Sequence, residues 1–141
     1  MTVGDLGPEE VVTVDRDATV ADVVAELGSE NVGSVVVTDN ERPVGIVTDR
    51  DVALSVGESD DPASASVEDV MAADPVTLQA DEEDLAIART IEEHSVRRIP
   101  VVDENGEVTG IVTLDDLVAT IGEQLGQVAD TVEAQSPDYQ P

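Results

Sequence analysis

The chain has 141 residues, 33 of them Asp or Glu against 6 Lys or Arg, for a formal net charge of -27. That balance repels DNA, RNA and anionic lipid through long-range Coulomb forces. The lack of cysteine excludes disulfides, thiolate zinc sites and Cys nucleophiles, and a lone histidine, His94, excludes a multi-His metal site within one subunit. The length suits one compact domain or a fused pair of small ones. With 26 valines, no Phe, no Trp and one Tyr (Tyr139), the core must be aliphatic.

In chain order, a short apolar stretch (Val11–Val14) leads into an Asp-led helix from Thr19 to Leu27. Its spacing places Val20, Val23, Val24 and Leu27 on one face. Two strands, Ser34–Thr38 and Val44–Thr48, flank the turn Asn40-Glu41-Arg42-Pro43, and a helix carrying Val52, Ala53 and Val56 follows Thr48. Glu58–Ser66, rich in Ser, Asp and Ala with one Pro, reads as a linker. The order then recurs: Pro75–Leu78, a helix with Leu85, Ile87, Ala88 and Ile91 on one face, strands Arg98–Val102 and Val108–Thr113, and a helix carrying Leu117, Val118 and Ile121. The turn Glu104-Asn105-Gly106-Glu107 holds an Asn-Gly hairpin signal. The Val/Ile runs of the paired strands predict burial on both faces. A helical extension is expected from residue 123, and the polar tail Gln135–Pro141 is expected to fray.

The recurrence is an internal repeat. A shift of 64 sets Val3/Asp5 on Val67/Asp69, Val12-Thr13 on Val76-Thr77, Asp17 on Asp81, Val32 on Val96 and Asp39 on Asp103. After the second turn gains a residue the shift is 65, and Gly45-Ile46-Val47-Thr48 falls on Gly110-Ile111-Val112-Thr113, with Asp51 on Asp116. The repeats occupy 3–57 and 67–122, separated by the linker 58–66. The expected class is α/β (α+β), built from two β-α-β-β-α units related by a pseudo-twofold axis. At ~55 residues each unit is marginal alone, so the two are expected to pack together.

All six basic residues are arginines: Arg16, Arg42, Arg50, Arg89, Arg97 and Arg98. High net charge favours disorder, but the dense Val/Ile/Leu pattern over residues 3–125 opposes it. Adaptation to concentrated salt accounts for the charge more economically, since near 1 M the Debye length is ~3 Å and carboxylate repulsion is largely screened. In this the chain resembles proteins of salt-loving archaea. No apolar run approaches the ~18 residues of a membrane helix, and Met1 leads into acidic sequence rather than a signal peptide. The expected location is the cytoplasm.

Each strand-to-helix junction carries Thr-x-x-Asp: Thr48-Asp49-Arg50-Asp51 and Thr113-Leu114-Asp115-Asp116. Unpaired backbone N–H groups and the positive end of a helix dipole favour a phosphate there, and the Asp could accept from the adjacent hydroxyls of a ribose. The same pattern is a helix capping box, and the two roles can coexist. Arg97 and Arg98 suit bidentate phosphate contact, or they pair with surface carboxylates. His94, beside Glu92-Glu93, fits a helix end. Asp60-Asp61, Glu82-Glu83-Asp84 and Asp115-Asp116 read as solvated faces rather than metal sites. No nucleophile-base pair, Walker loop or dinucleotide fingerprint is present, so no catalytic residue and no metal ligand is expected.

Gly-Ile-Val-Thr-x-x-Asp closing both units, with Val96-Arg97-Arg98-Ile99-Pro100-Val101-Val102-Asp103 in the second, resembles the cystathionine-beta-synthase (CBS) domain family. A tandem pair of this kind is a Bateman module, and the resemblance covers about 120 of the 141 residues. The first unit departs from the pattern: Val32-Gly33-Ser34-Val35-Val36-Val37-Thr38-Asp39 has neither the Arg pair nor the Pro. The resemblance implies adenosine nucleotides (AMP, ADP, ATP or relatives) as regulatory ligands in clefts between the units, with no required cofactor. Carried over by position, cleft A would use Val47, Thr48 and Asp51 with Val76, Thr77, Val96, Arg97 and Arg98, and Arg50 as a further cation. Cleft B would use Val112, Thr113 and Asp116 with Val12, Thr13, Val32, Gly33 and Ser34. With its arginines, A suits a phosphorylated nucleotide; B suits an adenosine with an uncharged tail, or stays empty. Further implications are a homodimer through the apolar helix stripes and a regulated partner protein. The alternative is a ligand-free dimeric scaffold.

Overall fold

The computed structural model describes residues 1–6 and 11–135. It is a mixed α+β structure with two sheets. The first unit comprises β1 (Thr13–Asp15), α2 (Val20–Ser29), β2 (Ser34–Asp39), β3 (Arg42–Thr48) and α3 (Asp49–Ser55). It follows a short α1 (Val3–Leu6). The second unit holds β4 (Ala72–Ala73), β5 (Leu78–Gln79), α4 (Leu85–His94), β6 (Arg98–Val102), β7 (Val108–Thr113) and α5 (Leu114–Gln135). One sheet runs β1-β2-β3-β4 and the other β5-β6-β7. In each, the first strand lies parallel to the second and the second antiparallel to the third.

Several boundaries differ from the sequence expectation. The leading strands are shorter and start later, at Thr13 and Leu78. Strands β2 and β6 bury nearly every residue, as their Val/Ile runs require, but β7 alternates: Gly110 and Val112 are buried while Thr109 is exposed. In α4 the buried face is Ile87 and Thr90, with Ala86 and Ile91 half-buried; Leu85 and Ala88 point to solvent. Thr90 tolerates burial because its hydroxyl donates to the Ala86 carbonyl at 2.7 Å. Val24 is likewise exposed on α2, and Val56 lies past the end of α3, exposed. The expected fraying of the tail concerns residues 136–141, outside the described residues; Gln135 closes α5.

The two hydrophobic clusters do not respect the repeat boundaries. Val3, from the head of the chain, is fully buried among Leu78, Ile87, Ile99, Val101 and Val112 of the second unit. Its repeat mate Val67 is fully buried among Val14, Val23, Val35, Val37 and Val47 of the first. The leading segments are thus exchanged, and the backbone bonds that seat them are symmetric. Val67 N–H donates to the Ala18 carbonyl and Val20 N–H to that of Ala65; 64 residues away, Val3 N–H donates to the Glu82 carbonyl and Asp84 N–H to that of Met1. The single bridges Thr19–Ser66 and Thr2–Glu83 obey the same relation. Arg16 clamps one exchanged segment, donating to Glu68 at 2.7 Å and to Asp39 at 3.0 Å.

The hairpin turns of the two units also meet. In the first, Asn40 and Glu41 both have positive φ (50° and 66°), as a two-residue turn between right-twisted strands requires. The Glu41 carbonyl accepts from Val108 N–H of the second unit at 2.8 Å. This brings two carboxylates together. The bond that Glu107 makes with Glu41 when protonated, then the repulsion between them, raise the Glu107 pKa above the ordinary range; Asp103 adds to this and Arg42 opposes it. A carboxyl with a raised folded pKa contributes stability that is complete below its unfolded pKa and lost as pH rises through the folded one. Glu107→Gln is therefore expected to raise Tm at pH 7 and to give no gain below about pH 4, read by thermal denaturation at fixed salt. A gain that persists undiminished at the acid end would contradict the pairing.

Candidate functional site: the clefts between the units

Both strand-to-helix junctions fold as their sequences demand. Thr48, in extended conformation (φ -106°, ψ 165°), caps α3. Its backbone N–H donates to Asp51 Oδ2 at 2.9 Å, and Asp51 N–H donates to Thr48 Oγ1 at 3.2 Å. At the other junction Thr113 N–H donates to Asp116 Oδ2 at 2.9 Å and Asp116 N–H to Thr113 Oγ1 at 3.1 Å. Both aspartates are half-buried, each with one oxygen committed to the cap. A third Thr-x-x-Asp box, Thr19/Asp22, caps α2 in the same way. Capping by itself accounts for the pattern, so any ligand role must rest on what surrounds Asp51 and Asp116. Helix α3 spans only seven residues, so its dipole offers a phosphate little; arginines must supply most of any attraction at that junction.

Each helix start is tied to the head of the central strand. Asp49 N–H donates to the Gly33 carbonyl at 3.0 Å, and Leu114 N–H to the Arg97 carbonyl at 2.9 Å. The Arg98 side chain of the second unit crosses to the first. A Cβ placed on Gly33 would stand 3.9 Å from Arg98 Nη2 and 3.7 Å from Asp49 Oδ2. The Arg98 guanidinium thus lies against Gly33 beside the first junction, at a distance a small side chain there would tolerate. Arg97 lies 4.0 Å from Asp115, with both side chains largely exposed, so this pair contributes little and is easily exchanged for another anion. A small recess of about 40 Å³ opens between Arg97, Arg98, Thr113, Leu114 and Asp115. Arg50 is exposed on α3.

A cavity of about 290 Å³ lies between the units, walled by Val11, Val12, Glu30, Val32, Ser34 and Val36 of the first and Ile111 of the second. That volume sits at the low end of the ~300–1,000 Å³ typical of small-molecule pockets, and the aliphatic walls with few polar groups are characteristic. Of the residues expected in cleft B, Val12, Val32 and Ser34 line this cavity. Thr13, Gly33, Val112, Thr113 and Asp116 do not line it. Val112 and its mate Val47 are fully buried in the two cores, so they present no side chain to a ligand. In the expected cleft A, Val76 and Val96 are half-buried against the second core and Thr77 is exposed.

Applying the repeat shift to the cavity walls gives the corresponding places of the other cleft: Pro75, Val76, His94, Val96, Arg98, Pro100 and Ile46. Glu30 is replaced by His94, Gly33 by Arg97 and Ser34 by Arg98. The cavity is thus apolar with a carboxylate at its edge, and the positions that correspond to it in sequence carry two arginines and a histidine. Glu30 carried no signal in the sequence, and His94 reads there only as a helix-end residue; each does stand at the end of its helix. The readable signal was the pair of arginines, Arg97 and Arg98, at the positions that correspond to the uncharged Gly33 and Ser34. Among the described residues no group of three or more His, Asp or Glu is placed to hold a metal, and no helix is long and apolar enough to cross a membrane.

The sequence profile of the CBS domain matches residues 3–58 and 67–123. The chain belongs to the CBS domain family and carries a tandem pair of these domains. An uncharacterized protein of Bacillus subtilis, YlbB, is 37% identical over 128 residues, covering 86% of this chain and 84% of its own. An uncharacterized protein of Methanopyrus kandleri is 31% identical over 134 residues, covering 89% and 68%. Several further curated relatives are longer, and this chain spans 20% to 39% of those. Among solved structures, a CBS domain protein of Pyrobaculum aerophilum complexed with AMP superposes with a TM-score of 0.74 at 27% identity, covering 83% of this chain and 90% of that one.

Proposed function

We propose that this chain is a non-enzymatic regulatory module that binds an adenosine nucleotide between its CBS repeats and signals to a partner protein. The observation that carries the reading is the charge difference between the paired clefts: Arg97, Arg98 and His94 stand where Gly33, Ser34 and Glu30 stand in the other. AMP in the Pyrobaculum relative supports it. In cleft A, the Arg97 and Arg98 guanidiniums, with Arg50, hold the phosphate. Asp51 spends Oδ2 on the Thr48 N–H and offers Oδ1 and its remaining lone pairs to the ribose hydroxyls. The Val76 and Val96 side chains with Thr77, and the backbone of Val47 and Thr48, hold the adenine; the buried Val47 side chain backs the strand from within the core. Cleft B, formed by Val12, Thr13, Val32, Gly33 and Ser34 with Val112, Thr113 and Asp116, accepts an adenosine with an uncharged tail. A ligand touching both repeats shifts their orientation only by its differential affinity for the two arrangements.

The reading takes the repeats as 3–57 and 67–122, joined by 58–66 and followed by a helical extension with a tail. It also includes a homodimer, a cytoplasmic location, adaptation to high salt and no required cofactor. The other reading, a ligand-free dimeric scaffold, is favoured by the exposed apolar side chains of Leu54, Val118, Ile121 and Leu125. Thermal denaturation in molar salt separates the two, using AMP, ADP, ATP, S-adenosylmethionine and nicotinamide cofactors. At a hundredfold excess over Kd, a single site adds ~2.7 kcal/mol, a Tm rise of roughly 8 °C for a chain of this size. The rise with AMP should shrink in both Asp51→Ala and Arg97→Ala. No shift with any adenine ligand would leave the scaffold.

A further inference from the structure

Because the two units repeat one another, a side chain present in one and missing from the other leaves a preshaped place. Arg16 is such a side chain. In the first unit it fills the corner between the ends of β1 and β2, with Nη1 3.0 Å from Asp39 Oδ2 and Nε 2.7 Å from Glu68 Oε1. The shift of 64 sets Arg16 on Ala80, Asp39 on Asp103 and Glu68 on Gly4. The backbone is alike in both places: Arg16 N–H donates to the Thr38 carbonyl at 2.9 Å, and Ala80 N–H to that of Val102 at 3.1 Å. Where the guanidinium would stand, the second unit has a recess of about 270 Å³ lined by Gln79, Ala80, Asp81, Val102, Asp103 and Glu104.

The carboxylate that answers the guanidinium is retained. Asp103 is half-buried and commits Oδ1 to the Asn105 and Glu107 N–H groups, at 2.9 and 3.0 Å. Its Oδ2 is the atom by which Asp39 holds Arg16, and among the described residues no arginine stands within 4.0 Å of it. The unanswered charge is felt nearby, where it helps to raise the Glu107 pKa. Close packing explains part of the change: a Cβ on Gly4 would stand 3.2 Å from the Ala80 carbonyl oxygen, so the exchanged segment needs small residues there. Packing does not explain position 104. Asn40 of the first unit becomes Glu104, so a carboxylate is added where a cation is lost.

We propose that this recess binds a small organic cation, a guanidinium on a short aliphatic chain, in the place that Arg16 takes in the first unit. The planar fork of a guanidinium reaches two carboxylates at once, as Arg16 reaches Asp39 and Glu68. Here it meets Asp103 Oδ2 and either Asp81 or Glu104, and its methylenes lie on Ala80 and Val102. A metal ion fits less well, since among the described residues no three carboxylates are placed to hold one. The recess shares no residue with either cleft, so the proposal stands whether or not a nucleotide binds.

Amide NMR of the full chain in molar potassium chloride tests this with agmatine as the probe. The amides of Asp81, Asp103 and Asn105 should shift saturably at millimolar agmatine, and those of the exposed linker pair Asp60-Asp61 should not. Asp103→Asn, which keeps an acceptor for the turn, should weaken binding about tenfold. Ala80→Arg, which gives the second unit the residue of the first, should abolish it; if that variant does not fold, Asp103→Asn alone decides. A site open to any cation would already be filled by potassium. No saturable shift, equal shifts at Asp60-Asp61, or binding undiminished in the variants would each overturn the proposal. Tighter binding of an arginine-containing peptide than of agmatine would overturn it too, by assigning the recess to a side chain of another protein.

Discussion

Dialysed from molar to millimolar salt, the protein should lose its cooperative fold, seen as loss of far-ultraviolet ellipticity and of a thermal transition. The chain carries 33 carboxylates and 6 guanidiniums, so at most a small share of the negative charge can be neutralised internally. Among the described residues Arg16 already serves two carboxylates, and the Arg97–Asp115 pair is loose and exposed. The rest must be screened by solvent ions. At 1 M the Debye length is ~3 Å, shorter than most distances between surface charges, whereas at 0.01 M it is ~30 Å, comparable to the whole molecule. Repulsion then sums over every pair and opposes the compact state. The core has little reserve, because among the described residues it is made of valines, isoleucines and a leucine with no aromatic to bury large area. A chain that keeps an unchanged transition at millimolar salt would show that its packing outweighs the repulsion and that the acidity serves another end.

Val67→Asp should unfold the first unit, although Val67 lies in the second repeat. The side chain is fully buried among Val14, Val23, Val35, Val37 and Val47, with nothing there to pair a carboxylate, and an ionised group without a partner in such a site costs several kcal/mol. That is a large part of the ~5–15 kcal/mol by which domains are stable. Val3→Asp should do the same to the second unit. Because each unit completes the other, residues 1–65 expressed alone should remain unfolded in molar salt, and amide hydrogen exchange would show it. Protection in the isolated fragment equal to that in the whole chain would mean that the exchange of segments is dispensable.

Much of the fold could be read from local pattern. The 64-residue shift made the recurrence of elements visible, and the limits of β6 and β7 follow from where the Val/Ile runs meet Arg98, Glu107 and Thr113. What escaped was set by tertiary partners. Val67 looks in sequence like the start of its own repeat, and only the backbone bond to Ala18 places it in the other core. Leu85 is more apolar than Thr90, yet Thr90 is inside because α4 presents that face to its sheet and the hydroxyl finds the Ala86 carbonyl. The site was legible to a lesser degree. Thr48-Asp51 and Thr113-Asp116 announced themselves as junctions, but their hydrogen bonds are those of a cap. Glu30 gained meaning only when the cavity beside Ile111 included it, and His94 only as its counterpart under the repeat shift.

The most direct test is titration calorimetry in molar salt comparing AMP with adenosine, on the wild type and on Arg98→Ser, which gives the second cleft the residue of the first. A charge-assisted hydrogen bond contributes ~1.5–3 kcal/mol, so AMP should bind roughly 10–100-fold more tightly than adenosine. In Arg98→Ser, with Arg97 and Arg50 left, that preference should fall roughly tenfold or more while adenosine binding persists. No saturable heat from AMP, or a preference for AMP unchanged by the substitution, would contradict the assignment of the arginine-bearing cleft to a nucleotide phosphate.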